Sequence, residues 1–176
     1  KSLKTPATNI ARIGGDEFVL TVRNISPQEV LDTAKEIMKL FQFPITTESK
    51  SFILTASIGI ALYPLHAQTV EELLKYADMS MYRAKEKGKN QFNIFSEEIR
   101  QEVIRKHHIE TGLRRSLKSN EFYLNYQPLF NAKKRFPYGF EALIRWECPV
   151  LGNVSPIEFI KIAEHTGLIV QIEKWV

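Results

Sequence analysis

Ala11-Arg12-Ile13-Gly14-Gly15-Asp16-Glu17-Phe18-Val19-Leu20-Thr21-Val22 sets two glycines and two acids between runs of strand-forming residues. The segment reads as a strand, a tight turn and a returning strand, a hairpin spanning Ile10 to Ile25. Glycine reaches positive φ at no steric cost, and a turn without side chains lets a phosphate approach the backbone closely. Asp16 and Glu17 beside such a turn can hold a divalent cation against that phosphate. The competing reading is an ordinary exposed turn with two solvating acids, and the rest of the chain weighs between the two.

Outward from the hairpin, Ser26-Pro27 starts a helix, with Pro at the first helical position and Glu29 in the first turn. Val30, Ala34, Ile37, Met38 and Phe41 give it an apolar stripe, and Pro44 ends it. Phe52 to Tyr63 reads as one strand, ended by Pro64. Thr69 to Lys87 reads as a second helix, with Thr69 and Glu72 as a capping box and Gly88 as its breaker. Leu73, Leu74, Ala77, Met81 and Ala84 form its core face, and Phe92 to Phe95 is a short closing strand. Ser96 N-caps a charged helix running to about Ser119. Its Ile99, Val103, His107, Glu110 and Leu113 do not make one stripe. Phe122–Phe130 and Tyr138–Trp146 follow as two strands around the turn Ala132-Lys133-Lys134-Arg135. Ser155-Pro156 opens a helix to Gly167, and an apolar periodic segment closes the chain.

The 176 residues are 44% hydrophobic and 25% charged, as in ordinary globular domains, and the net charge is +4. That charge suits a phosphate-bearing ligand. No block of Lys and Arg interleaved with aromatics is present, so a nucleic-acid partner is not expected. The single cysteine, Cys148, excludes an intramolecular disulfide framework and agrees with a reducing cytoplasm; it reads as incidental, in a loop. Adjacent His107 and His108 point about 100° apart on a helix and cannot easily share an ion. No run approaches the roughly 18 apolar residues of a membrane-spanning helix.

Ala11 to Phe18 resembles the signature of the GGDEF family, the diguanylate cyclases, which condense two GTP into cyclic di-GMP. Ser57-Ile58-Gly59-Ile60-Ala61 resembles the second strand signature of that family. Tyr126-Gln127-Pro128, Glu141-Ala142-Leu143-Ile144-Arg145-Trp146 and Gly152-Asn153-Val154-Ser155-Pro156 resemble the start of an EAL domain, the cyclic di-GMP phosphodiesterase family. This is the tandem layout of bacterial cyclic di-GMP signalling proteins, and the resemblance covers essentially the whole chain. It implies an α+β organisation in three parts. Residues 1–95 would be the C-terminal part of an antiparallel-sheet, nucleotidyl-cyclase-like GGDEF domain. Residues 96–119 would be a linker helix, and residues 120–176 the opening strands and helix of an EAL β/α barrel.

The resemblance also assigns roles. Asp16 would be the catalytic and metal-binding acid, Glu17 a supporting acid, and Gly14 and Gly15 would give the phosphates room. Lys85 and Lys89, spaced i, i+4 and so on one helical face, would bind phosphate, with Asp78, Tyr82 and Asn90 also in the family pattern. Side chains alternate along 138–146, so Glu141, Leu143 and Arg145 share one face while Phe140, Ala142, Ile144 and Trp146 share the other. An acid and an arginine on one face suit a barrel interior, with the apolar set packing outward on helices. By resemblance Glu141 is a metal ligand, and Arg145 and Gln127 contact the cyclic dinucleotide. The implied cofactor is Mg2+ or Mn2+, and the implied ligands are GTP and cyclic di-GMP.

Two departures qualify this. The family's other metal aspartate and guanine-recognising residues would lie before Lys1, and the remaining phosphodiesterase residues beyond Val176. Thr5-Pro6-Ala7-Thr8 stands where an inhibitory product site carries Arg-x-x-Asp, so no product inhibition through it is expected. Both ends read as cut from a longer polypeptide whose membrane attachment is left open. These residues alone are therefore expected to be inactive, and to be supported by a second copy or by flanking segments. The alternative is a non-catalytic module that binds GTP or cyclic di-GMP and regulates.

Overall fold

In the computed structural model, which describes residues 8–47, 49–131 and 136–176, the hairpin forms from β1 (Thr8–Gly14) and β2 (Glu17–Val22), paired antiparallel. The chain divides into two compact units, Lys1–Arg100 and Gln101–Val176. The turn expected at Ala132–Arg135 and the stretch Thr5–Ala7 lie outside the described residues.

In the first unit, α1 (Pro27–Leu40) starts at Ser26, whose hydroxyl accepts from the Glu29 amide while the Glu29 carboxylate accepts from the Ser26 amide at 2.8 Å. That capping box satisfies orphan N–H groups at the helix start. The helix stops four residues short of Pro44. The amides of Phe41 and Gln42 fold back onto the carbonyls of Met38 and Lys39, each at 3.2 Å, which tightens the last turn.

The single strand expected over 52–63 is not formed. β4 (Ser51–Phe52) pairs back on β3 (Ile45–Thr46), and β5 (Ile58–Ile60) pairs elsewhere. Residues 53–57 belong to no ladder, and Ile53 is 80% exposed. Strand propensity yields a strand only where a neighbour supplies hydrogen bonds.

α2 (Val70–Glu86) opens with the expected capping box, Thr69 against Glu72. β6 (Phe92–Ile94) then pairs with β5 in parallel, so β5–α2–β6 is a βαβ unit within an otherwise antiparallel set of small sheets. Gly59 brings β5 against the helix: a Cβ there would fall 1.8 Å from the Ala77 carbonyl oxygen and 2.3 Å from the Met81 amide nitrogen. Ala84 and Ser80 are buried on α2, and Phe95 is buried beyond β6, stacked on Tyr76 at 4.2 Å.

α3 (Glu97–Ser116) crosses the division between the units. The second unit adds β7 (Phe122–Phe130), β8 (Pro137–Cys148), β9 (Gly152–Val154), α4 (Pro156–Thr166) and α5 (Ile169–Trp175), with the three strands in the order β7-β8-β9. The buried face of α3 is Ile109, Gly112, Leu113 and Ser116. That is a helical stripe after all, at i, i+3, i+4 and i+7. Two of its members are a glycine and a serine, so an apolar search passes over it. His107 is exposed, and Glu110 pairs with Arg114 at 3.0 Å.

Trp146 and Phe159, both fully buried, centre the core with Phe122, Val154 and Ile172. On the expected apolar face of β8, Trp146 and Ile144 are packed in, whereas Phe140 is 64% exposed and Ala142 is exposed. Cys148 is the buried last residue of β8 rather than a loop residue.

Glu121 ties this unit together at one point. Its carboxylate, only 9% exposed, accepts from Arg115 (3.0 Å), Ser116 Oγ (2.6 Å), Ser119 Oγ (2.8 Å) and Trp146 Nε1 (3.1 Å). Burial pushes its pKa up, but the bonds from Arg115, Ser116, Trp146 and Ser119 outweigh that and hold it at about 2. A lowered carboxylate pKa stabilises the fold fully above the ordinary value near 4.5, and this contribution disappears as pH falls toward 2. Glu121→Gln should therefore destabilise the second unit by about 2 kcal/mol at pH 7, and the difference from wild type should shrink between pH 4.5 and 2. Chemical denaturation at pH 7 and pH 3 checks this; a difference independent of pH would show that the charge is not what the network holds.

Candidate functional site

At the tip of the first hairpin the register runs Arg12↔Phe18 and then Gly14↔Glu17, so Ile13 is bulged out and Gly15-Asp16 form the loop. Gly15 has φ +50°, in the left-handed region that glycine enters freely, and a Cβ on Gly14 or Gly15 would meet nothing within 4 Å. Asp16 and Glu17 are both exposed beside this open backbone. The Arg12 guanidinium reaches across the turn and donates to the Gly15 carbonyl from Nε at 2.8 Å and from Nη2 at 2.6 Å.

The proposed phosphate lysines sit at the end of α2, in a geometry different from the expected one. Lys85 is in the last turn, on the stripe that also holds Asp78 and Tyr82. Lys89 lies past the helix, with φ +60°, so the two do not share a helical face. Gly88, at φ +111°, reverses the chain, and the Lys89 amide returns to the Ala84 carbonyl at 3.0 Å in the manner of a Schellman cap. Gln91 Nε2 donates to the same carbonyl at 3.1 Å. Among the described residues β1 and β2 form a sheet of their own, so no strand pairing there joins the Asp16 turn to this helix end. An open depression of about 280 Å3 is lined by Met38, Gln42, Asn90, Gln91 and Phe92; it takes in Asn90, and its lining does not include Asp16, Glu17, Lys85 or Lys89.

In the second unit the candidate residues share one sheet face. Gln127 lies directly across from Glu141, Asn125 across from Leu143 and Tyr123 across from Arg145. Directly opposed positions place Cβ atoms about 5 Å apart, so Gln127 and Glu141 can serve one ligand. Trp146 and Ile144 face the other way, into the core. Gln127 and Glu141 are exposed, and Arg145 is half-buried with Nη1 donating to the Ile144 carbonyl at 2.8 Å.

Among the described residues no cluster of three or more His, Cys, Asp or Glu forms, and the His107 and His108 rings stand 6.5 Å apart. Two adjacent exposed carboxylates in the first unit, and one in the second, are hard oxygen donors. They fit Mg2+, which commonly takes one or two carboxylates and completes its shell with substrate phosphates and water. No helix of the described residues is long and apolar enough to cross a membrane. The sequence assigns no role to Arg12, although it lies within the Ala11–Phe18 signature and three residues before Gly15, nor to Glu121, whose partner Trp146 lies 25 residues away.

Residues 1–91 match the family model for the diguanylate cyclase GGDEF domain, and residues 110–176 match that for the EAL domain. The biofilm architecture maintenance protein MbaA of Vibrio cholerae is 44% identical over 170 residues, covering 94% of this chain and 21% of that protein. The bifunctional diguanylate cyclase/cyclic di-GMP phosphodiesterase MucR of Pseudomonas aeruginosa is 40% identical over 167 residues, covering 95% of this chain and 24% of MucR. The chain thus spans a quarter or less of the length of these relatives. The GGDEF domain of TpbB (YfiN) from Pseudomonas aeruginosa superposes with a TM-score of 0.54 at 33% identity, covering 56% of this chain and 58% of that one. The chain belongs to the GGDEF family, and its second half carries the start of an EAL domain.

Proposed function

We propose that the protein carrying these residues turns over cyclic di-GMP, making it from two GTP at the GGDEF part, hydrolysing it at the EAL part, or both. The observation that carries this reading is the pairing of two open sites on one chain. One is the open Gly14-Gly15 backbone with Asp16 in the turn and Glu17 beside it; the other is a sheet face holding Gln127 across from Glu141, with Arg145 beyond. The name of MucR, bifunctional in both activities, supports it. The functional parts are taken as 1–95, 96–119 and 120–176.

In the first part, the open backbone at Gly14 and Gly15 admits the phosphates, Asp16 and Glu17 hold Mg2+ or Mn2+, and Lys85 and Lys89 add positive charge. The metal, when bound, neutralises phosphate charge and lowers the pKa of an attacking hydroxyl. Joining two GTP needs two such sites facing each other, hence a homodimer. In the second part Glu141 is the metal carboxylate, and Arg145 and Gln127 orient the cyclic dinucleotide. The use of GTP places both parts on the cytoplasmic side. Residues 1–176 alone hold part of each site and are inactive on this reading.

GTP condensation and cyclic di-GMP hydrolysis, assayed with Mg2+ in the polypeptide that carries this chain, test the proposal. Asp16→Asn should lower condensation by about a hundredfold or more and spare hydrolysis, and Glu141→Gln should do the reverse. Unchanged rates in both variants would refute the assignment. GTP binding without condensation would instead make the first part a regulatory module.

A further inference from the structure

We infer that Arg12 is a positioning residue that turns the Asp16 amide toward the substrate phosphate; this rests on the reading of the turn as a nucleotide site. A trans peptide unit is planar, with its C=O and N–H pointing in opposite directions. Among the described residues the only cis bond is Tyr63–Pro64, so the Gly15–Asp16 unit is trans. Arg12 holds the carbonyl of that unit with two donors at 2.8 and 2.6 Å. The N–H of the same unit, which belongs to Asp16, therefore points away from Arg12. The backbone of the turn is open to a ligand, since a Cβ on either glycine would touch nothing within 4 Å.

Three features make the hold specific. The bulge at Ile13 lets Arg12 and Gly14 stand across from Phe18 and Glu17 in succession, which brings the guanidinium over the loop. The Arg12 side chain also lies against Phe18, with its guanidinium carbon 6.0 Å from the ring centroid. Both of its bonds go to one oxygen, a fork that lysine reproduces only as a point charge. Without Arg12 the Gly15–Asp16 unit is free to rotate, since glycine tolerates either orientation. The donor that a phosphate would meet is then no longer set in advance. Arg12 acts through the backbone of Asp16 and need not touch substrate itself.

The test has two readouts. In the 15N-labelled 176-residue chain without nucleotide, Arg12→Ala should move the Asp16 amide resonance, and Arg12→Lys should move it less. In the polypeptide that carries the chain, Arg12→Ala should raise Kd and KM for Mg2+-GTP about tenfold, with a smaller fall in kcat and partial recovery in Arg12→Lys. The melting temperature should shift by less than about 2 °C, because the bonds are exposed. An unmoved Asp16 amide, or Arg12→Ala kinetics equal to wild type while wild type binds and converts GTP, overturns the inference alone. If wild type neither binds nor converts GTP while the amide moves as expected, the nucleotide reading of the turn falls and Arg12's part in it falls too.

Discussion

Gly59→Ala is expected to unfold the first unit, or to lower its melting temperature by at least about 10 °C. The added methyl would stand 1.8 Å from the Ala77 carbonyl oxygen and 2.3 Å from the Met81 amide nitrogen. These are main-chain atoms of α2, so no side chain can rotate out of the way. Relief requires the helix to lift from β5 by about 1.5 Å, the gap between the clash and ordinary contact. Lifting it would open the packing of Ala84 and Ser80, which are fully buried, and would pull on the Tyr76–Phe95 stack. The helix cannot relax by fraying, since the Thr69–Glu72 box and the Lys89–Ala84 return hold its two ends. Overpacking commonly costs about 1–3 kcal/mol, and a main-chain clash lies at or above the top of that range. Gly139→Ala is the control, because a Cβ there meets nothing within 4 Å. Thermal unfolding followed by circular dichroism, with amide exchange in β5 and β6, reads the effect. A Gly59→Ala protein as stable as the Gly139→Ala control would mean that α2 does not rest on β5.

Trp146→Ala is expected to cost the second unit about 3–5 kcal/mol. The indole is fully buried between Phe159, edge-on at 5.6 Å, and Phe122 at 5.8 Å. It also lies over Gly112 of α3, where a Cβ would come within 2.9 Å of the ring. Removing it leaves a cavity at the meeting point of α3, β7, β8 and α4. It also takes one of the donors that hold the Glu121 carboxylate. Trp146→Phe should fall between, keeping most of the ring contact and losing the N–H. Val170→Ala is the comparison, since Val170 is 52% exposed and should cost less than about 0.5 kcal/mol. Denaturant midpoints rank the three. Equal midpoints for Trp146→Ala and Val170→Ala would remove Trp146 from the centre of the core.

The hairpin at Gly14-Gly15, the Thr69–Glu72 capping box and the shared face of Glu141 and Arg145 were all legible from the chain as written. Each rests on interactions within about four residues, or on the two-residue period of a strand, so the local order of residues is enough. The family signatures lie on these same local devices. Elsewhere the deciding partner is remote. Residues 53–57 have strand composition but pair with no strand among the described residues, so they form none. Lys89 has helical spacing from Lys85, yet the Schellman return to Ala84 carries it off the helix. The buried stripe of α3 includes Gly112 and Ser116 because the Trp146 indole from β8 and the Glu121 carboxylate from the connection before β7 come to lie against them. Turns, caps and alternation obey short-range sterics and hydrogen bonding. The close approach at Gly59, the Glu121 network and the placement of Gln127 across from Glu141 depend on which segments meet, and only packing the whole chain settles that.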